Sequence, residues 1–115
     1  MDERRNLKRK YLVFFTRIFD RETGQLLGHL ANLTAAGMML ISEAPLITGR
    51  VYRLHMDLAE EFFAKPHLDF EAQCVWCQPE DITPKFFDAG FRFVTITPED
   101  IEIIEQIIQE YGIRD

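Results

Sequence analysis

The sequence has few of the residues on which catalysis depends. Its 115 residues include three histidines, and none of them neighbours a serine or a cysteine in a recognisable nucleophile arrangement. It has no nucleophile elbow, and no glycine-rich phosphate loop of the Walker or dinucleotide type. Two pairs of adjacent acids, at positions 60–61 and 80–81, fall in loop-like sequence, where charges are usually only solvated. We therefore expect a protein that is not an enzyme.

Long apolar runs are also missing. No stretch approaches the roughly 18 apolar residues that a membrane-spanning helix needs. Residues 11–19 are apolar, but Thr16 and Arg17 interrupt them and charged residues follow, unlike the small-residue cleavage site of a secretion signal. We expect a cytoplasmic protein with no membrane insertion.

Cysteine is scarce too, and its two occurrences form the pattern C-V-W-C at Cys74 and Cys77. This spacing also occurs in redox pairs and in half of a metal site. Residues 68–77 alternate apolar and polar, which predicts a strand with one buried face. Residues three apart on a strand point to opposite faces, so we expect the two thiols to diverge, with Cys74 buried. The three histidines are scattered along the sequence, and no metal site is predicted.

The net charge of −6 hides an uneven distribution. Residues 1–10 contain five basic and two acidic side chains, a net charge of +3, so the other 105 residues carry −9. An acidic body is repelled by dense phosphate backbones, which argues against a nucleic-acid polymer as partner. A small basic segment can still bind a small anion. We expect residues 1–10 to be mobile without a ligand, because like charges repel and termini are loosely held.

The pattern of the chain predicts one domain, mainly β. A hydrophobic fraction of 47% is enough to form a core. Segments with strand character are separated by turn signals, at residues 11–19, 26–31, 38–42, 51–58, 68–77 and 87–95. Six strands joined by short connections predict an antiparallel sheet or barrel. The domain spans residues 11–115 and includes a C-terminal helix at 98–111.

The start of this helix is marked by Thr97 as N-cap, Pro98 at the first helical position and Asp100 three residues after the cap, and Gly112 is a plausible stop. An apolar stripe at helical spacing is formed by Ile101, Ile104, Ile108 and Tyr111, with Ile103 and Ile107 beside it. We expect the stripe to pack on the open end of the barrel, the alternative being a partner-binding face. The acids expected to face water are Glu99, Asp100, Glu102 and Glu105.

Two local patterns are candidates for ligand binding. The first is R-x-x-x-R at Arg5 and Arg9, just before the first strand. Guanidinium groups bind phosphate oxygens bidentately and can also contact the O6 and N7 edge of guanine. The second is Asn32 to Gly37, between the second and third strands, where Asn32 offers a donor and an acceptor and Thr34 a hydroxyl. Gly37 allows the backbone to turn where a side chain would intrude.

Together and in this order, the two patterns resemble the PilZ domain family. That family carries R-x-x-x-R at the N-terminal edge of a six-stranded β-barrel and [D/N]-x-S-x-x-G at a turn after the second strand. Arg5, Arg9, Asn32, Thr34 and Gly37 fall in those places, with Thr34 where the family has serine. The resemblance covers nearly the whole chain and continues at Gly49 to Leu54, Cys74 to Trp76, Gly90 to Phe93 and the C-terminal helix.

The resemblance implies a stand-alone bacterial receptor for cyclic di-GMP, a second messenger with two guanines and two phosphates, and implies no other cofactor. Arg5 and Arg9 would bind phosphate and guanine edges, with Arg4 assisting. Asn32 and Thr34 would contact a guanine edge, and Gly37 would keep the turn open. Ligand binding would draw residues 1–10 onto the barrel, and the changed surface would signal to a still unidentified protein effector.

Two further residues are candidates for this site. Trp76 offers an aromatic face for stacking on guanine, although its strand phase, shared with Leu68 and Cys74, favours a place in the core. Arg92 could approach the ligand from the last strand. The alternative function is a PilZ-like interaction adaptor with weak or no nucleotide binding, acting through the acidic helix or through Phe62 and Phe63.

Overall fold

The computed structural model describes residues 16–58, 65–81 and 85–111. These ranges contain six strands and one helix. In chain order they are β1 (Arg17–Asp20), β2 (Leu26–Leu33), β3 (Gly37–Ser42), β4 (Val51–Asp57), β5 (His67–Pro79), β6 (Phe87–Thr95) and α1 (Pro98–Tyr111). The predicted basic segment 1–10, residues 11–15 of the first predicted strand, and Phe62 and Phe63 lie outside the described residues.

The strands close into an antiparallel barrel in the order β1-β2-β3-β6-β5-β4. β1 closes it, because this short strand pairs with β2 on one side and with β4 on the other. The predicted six-stranded antiparallel barrel with a C-terminal helix is confirmed. The bounds of β6 and α1 agree with the predicted segments, and those of β2 to β5 differ from prediction by at most two residues. β1 ends one residue later than predicted and begins at Arg17, whereas the predicted strand begins at residue 11.

Alternating side chains from the six strands form the core. On β4 the pattern is strict, since Tyr52, Leu54 and Met56 are buried while the residues between them are more exposed. The helix adds Ile104 and Ile107 to the same cluster, which agrees with the prediction that its apolar stripe packs on its own barrel. The side chain of Tyr111 and the predicted stop at Gly112 lie outside the described residues.

The helix begins as predicted, but one of its acids does not face water. The Asp100 amide donates to the Thr97 hydroxyl at 3.1 Å, the bond expected of an N-cap. Asp100 itself is only 3% exposed. Its carboxylate accepts a hydrogen bond of 2.7 Å from the Lys65 ammonium, which supplies the charge that a buried carboxylate needs.

Within the described residues, no helix is long and apolar enough to cross a membrane.

Two of the register shifts in the barrel, both β-bulges, lie beside the candidate functional site, one on β2 and one on β5. On β2, Leu30 pairs with Leu40 and Asn32 with Met39, so Ala31 is the extra residue. On β5, Cys74 pairs with Phe91 and Trp76 with Gly90, so Val75 is the extra residue. An extra residue changes the face that the side chains after it occupy.

The bulge on β5 changes the surroundings of both Trp76 and Cys77. Trp76 is 39% exposed, so the interpretation that placed it in the core is wrong. Cys77 packs partly buried against the same core cluster that contains Cys74. The expectation that the two thiols occupy opposite faces is therefore wrong as well, although Cys74 is buried as predicted and both cysteines are free.

Candidate functional site

A groove of about 330 Å³ lies on the barrel wall where the β2–β3 turn meets the middle of β5 and β6. Such a volume falls at the lower end of the ~300–1,000 Å³ typical of ligand sites. Its lining includes Asn32, Thr34, Gly37, Trp76 and Arg92. The structure therefore brings together four of the predicted site residues and the further candidate Arg92. Arg4, Arg5 and Arg9 lie outside the described residues.

The Thr34 hydroxyl organises the turn that forms one wall of this groove. It accepts hydrogen bonds from the amides of Ala36 and Gly37, at 3.2 and 3.1 Å, and its oxygen lies 3.3 Å from the Gly37 carbonyl. The Thr34 amide also donates to that carbonyl at 2.8 Å. A hydroxyl has one proton and two lone pairs, so these bonds use its full capacity. In this arrangement Thr34 shapes the turn and has no remaining donor for a ligand.

Asn32 is placed differently. It follows the extra residue of the β2 bulge, and its exposed side chain lines the groove. Its carbonyl oxygen accepts a 2.8 Å hydrogen bond from the Leu33 amide, which fixes the orientation of the side chain. The amide NH₂ group has no partner within the described part of the chain. Asn32 therefore presents two donors with a fixed direction, suited to an acceptor edge of a base or to a phosphate oxygen.

Glycines at two positions allow the groove walls to approach each other. A Cβ at Gly37 would overlap the Phe91 carbonyl oxygen on β6, so Gly37 is needed for the contact between β3 and β6. Its φ is not in the left-handed region, and the close strand contact rather than a turn conformation explains the glycine. Gly90 faces Trp76, and a Cβ there would overlap the indole nitrogen. Because Gly90 has no side chain, the indole of Trp76 can lie directly over the backbone of β6.

Arg92 supplies the positive charge of the groove. It pairs with Gln73 across β5 and β6, and its Nε donates to the Gln73 amide oxygen at 3.1 Å. Gln73 is held in turn by a 3.0 Å hydrogen bond from its own amide nitrogen to the Gly49 carbonyl. The two terminal nitrogens of Arg92 have no partner within the described part of the chain. Arg92 is the one charged side chain among the described lining residues. The sequence pattern predicted it only as a further candidate.

The comparison with family models identifies the chain. The model described as PilZ domain matches residues 3–110. The chain belongs to the PilZ domain family. The match includes the segment that carries Arg5 and Arg9 as well as the residues of the groove. A search of curated protein sequences finds no significant match.

Solved structures agree with the family in fold. The PilZ domain of YcgR from Escherichia coli, solved with c-di-GMP, is similar with a TM-score of 0.65 and 17% identity, over 84% of this chain and 82% of that one. The Bacillus subtilis inhibitor of motility MotI/DgrA is similar with a TM-score of 0.66 and 16% identity, over 83% of this chain. This PilZ chain corresponds to only 45% of the length of MotI/DgrA.

The two cysteines of this PilZ domain lie in the core and against it. Burial raises the pKa of the Cys74 thiol, with the nearby Cys77 adding to the effect, so Cys74 stays protonated and is a poor nucleophile. Cys77 packs against the core, and its sulfur accepts a weak 3.4 Å hydrogen bond from the Leu46 amide.

Two histidines are closer in space than their sequence positions suggested. The rings of His55 and His67 stack with a centroid distance of 4.3 Å.

Proposed function

We propose that this PilZ domain is a receptor for cyclic di-GMP that signals through a protein partner. The observation that carries the proposal is the grouping of Asn32, Thr34 and Gly37 with Trp76 and Arg92 in one groove. These residues come from three separate parts of the sequence. Together they offer what a guanine nucleotide needs, namely an aromatic face, edge donors and a positive charge. The c-di-GMP complex of the YcgR PilZ domain supports the choice of ligand.

Trp76 would provide the stacking surface in this mode of binding. Its side chain is partly exposed beside the extra residue of the β5 bulge, and it lies against a glycine. Stacking of a base on an aromatic ring contributes about 1–3 kcal/mol by alanine substitution. A guanine plane on the indole would bring the guanine edge towards the donors of Asn32 and Arg92, which line the same groove.

Arg92 would bind either a phosphate or the O6 and N7 edge of guanine through its two terminal nitrogens. Arg5 and Arg9 would bind the remaining phosphate and guanine contacts, because one described arginine is not enough for a ligand with two phosphates. In this proposal the binding of residues 1–10 over the groove changes the surface of the barrel. The changed surface is then what the protein partner recognises.

The test is calorimetric titration of cyclic di-GMP into the wild type and three variants. Arg9→Ala and Arg92→Gln each remove one charged donor, so we expect each to weaken binding about 10- to 150-fold, given 1.5–3 kcal/mol for a hydrogen bond to a charged group. Arg53→Gln is the matched control, since Arg53 is an exposed strand arginine outside the groove, 3.9 Å from Glu71. It should bind like the wild type.

Fluorescence gives a second readout, because Trp76 is the only tryptophan in the sequence. A guanine stacked on the indole should change its emission on titration. No binding by folded wild-type protein at micromolar concentration would contradict the receptor function and favour the interaction adaptor. Binding that is unchanged in both Arg9→Ala and Arg92→Gln would retain the function but show that the proposed site is wrong.

A further inference from the structure

Two histidines and two aspartates meet on the outer face of β4 and β5, away from the groove. In the register of these strands, His55 lies opposite Asp69 and Asp57 lies opposite His67. Residues two apart on a strand share a face, so all four project from the same side of the sheet. Asp69 and Trp76 are seven residues apart on β5, about 23 Å at 3.3 Å per residue, so this cluster is distinct from the nucleotide groove.

Asp69 bridges the two histidines. One carboxylate oxygen lies 3.0 Å from His55 Nδ1, and the other lies 3.6 Å from His67 Nε2. The two imidazole rings stack 25° from parallel. One ligand atom from each of these three residues lies within 4.8 Å of the other two. Three donors of the types that transition metals prefer therefore surround one small volume.

The hydrogen bonding of His55 shows where a cation would fit in this cluster. Its Nδ1 faces Asp69 at 3.0 Å and its Nε2 faces Asp57 at 3.3 Å. A neutral imidazole has one N–H and one lone pair, so it can donate to only one of these carboxylates. The other carboxylate then faces a lone pair, which is repulsive. A cation at the lone pair removes this conflict.

Of the two carboxylates beside His55, only that of Asp57 has an arginine or lysine as its partner among the described residues. Arg17 forms a 2.9 Å salt bridge with Asp57 and so neutralises one of the two carboxylates. No arginine or lysine within the described residues forms a salt bridge with Asp69. A single metal ion uses a lone pair from each ring and neutralises Asp69 at the same time.

We propose that His55, His67 and Asp69 bind one divalent transition-metal ion of the Zn²⁺ class. Two imidazoles and a carboxylate suit Zn²⁺, Co²⁺ and Ni²⁺ better than Mg²⁺ or Ca²⁺, which prefer oxygen ligands. Metal–nitrogen bonds of about 2.0–2.1 Å put tetrahedral ligand atoms about 3.3 Å apart. The lone pairs of two stacked rings do not converge on one point, so at least one ring must turn out of the stack to bind the ion. The partial exposure of both histidines leaves space for that rotation.

Asp57 completes the arrangement without binding the metal. When one nitrogen of His55 binds the ion, the other carries the proton and can donate a hydrogen bond to Asp57, as metal-bound histidines commonly do to an outer carboxylate. Three protein ligands leave one position of a tetrahedral ion for water or for a donor from another molecule.

The test is titration of Zn²⁺ into chelator-treated protein without a polyhistidine tag, followed by calorimetry. Co²⁺ absorption provides a second measure, since its visible bands report coordination geometry. We expect one equivalent to bind to the wild type. His55→Gln and His67→Gln should each weaken binding at least 10-fold, the lower limit for losing even an outer-shell partner. His29→Gln is the matched control, because His29 lies on β2 and is the only other histidine.

Three results of these titrations would contradict the metal site. No Zn²⁺ binding by wild-type protein at micromolar concentration would overturn it, as would equal affinity in His55→Gln and His67→Gln, which would place the ion elsewhere, for example at a thiol. Loss of binding in His29→Gln would also contradict it. Should a variant fail to fold, NMR of the wild type still decides, because Zn²⁺ must shift the ring signals of His55 and His67 but not those of His29.

Discussion

The Thr34 hydroxyl bonds within its own turn rather than presenting a donor to the groove. All its hydrogen-bonding capacity is used within the turn, on the amides of Ala36 and Gly37 and on the Gly37 carbonyl. Serine, the family residue at this position, has the same hydroxyl, so the substitution keeps the chemistry of the turn. The added methyl restricts the side-chain rotamer, and the observed bonds are compatible with that restriction.

Replacement of Thr34 by valine and by serine tests this role. Thr34→Val keeps the shape but leaves two turn amides without their acceptor. We expect it to reduce the free energy of unfolding by about 1–3 kcal/mol, at 0.5–1.5 kcal/mol for each of the two net hydrogen bonds. It should also weaken cyclic di-GMP binding, because the groove wall loses its fixed shape. Thr34→Ser should preserve both properties. Urea denaturation and calorimetry measure them.

Thr23→Val is the control for the same chemical change in another turn, where the hydroxyl accepts one 3.2 Å hydrogen bond from the Gln25 amide. It should cost less stability and leave nucleotide affinity unchanged. If Thr34→Val bound the nucleotide like the wild type, the shape of this turn would not matter for binding.

Three of the groove residues that the sequence predicted lie in one short segment. Asn32, Thr34 and Gly37 span six residues, and their types already indicate a polar turn with a close backbone contact. Arg92 was harder to evaluate, because its position in the groove depends on its pairing with Gln73 on β5. Pairing between distant strands is not encoded in local spacing, so the sequence could not rank Arg92 with the turn residues.

On β5, the alternation of apolar and polar residues predicted burial correctly for only part of the strand. Alternation predicted the strand itself and the burial of Leu68, Phe70 and Cys74 correctly. It was wrong for Trp76 and Cys77, because the extra residue at Val75 changes the phase of the strand beyond it. A bulge has no requirement for a particular residue here, so alternation contains no signal for it. The error falls at the groove, where bulges often redirect side chains.

A charge pair links the first turn of α1 to the residues just before β5, and stability measurements can detect it. Lys65 donates a 2.7 Å hydrogen bond to the buried carboxylate of Asp100, and this bond raises the pKa of Lys65 above its usual 10.5. A raised pKa in the folded state means that the pair adds stability below about pH 10.5. That contribution is lost as the pH rises through the higher folded-state pKa.

We therefore expect Lys65→Met to be less stable than the wild type near neutral pH, because Asp100 keeps its buried charge without a partner. The difference between the two proteins should shrink as the pH rises above about 10.5, where the wild type loses the Lys65 charge as well. Urea midpoints across this range measure it. Lys85→Met, at an exposed lysine, should show no such pH-dependent difference. Equal midpoints for Lys65→Met and the wild type at all pH values would contradict the role of the pair.

The barrel as a whole brings together residues that are far apart in the sequence. His55 and His67 are separated by a connection and meet only because β4 and β5 pair in one register. From the sequence the histidines were predicted to be scattered, and a shift of the register by one residue would have kept them apart. The six-stranded fold itself was predictable, because turn signals and alternation recur along the chain and each needs only local information.

The net charge and the local arginine contacts predict opposite effects of salt on the affinity for cyclic di-GMP. The protein carries −6 and cyclic di-GMP is a dianion, so their long-range interaction is repulsive and salt would strengthen binding by screening it. The proposed contacts of Arg5, Arg9 and Arg92 are attractive, and salt weakens those. The Debye length is about 10 Å at 0.1 M salt, whereas hydrogen-bonded charges lie about 3 Å apart, so the arginine contacts should dominate.

We therefore expect the affinity for cyclic di-GMP to fall as salt rises, measured by calorimetry at constant pH from low to high sodium chloride. Arg92→Gln removes one of the attractive contacts, so the plot of log affinity against log salt should be shallower than for the wild type. Arg53→Gln changes the net charge equally but lies outside the groove, so its slope should match the wild type. If the affinity of the wild type instead rose with salt, repulsion by the acidic body would dominate, and the arginines could not be the principal contacts to the phosphates.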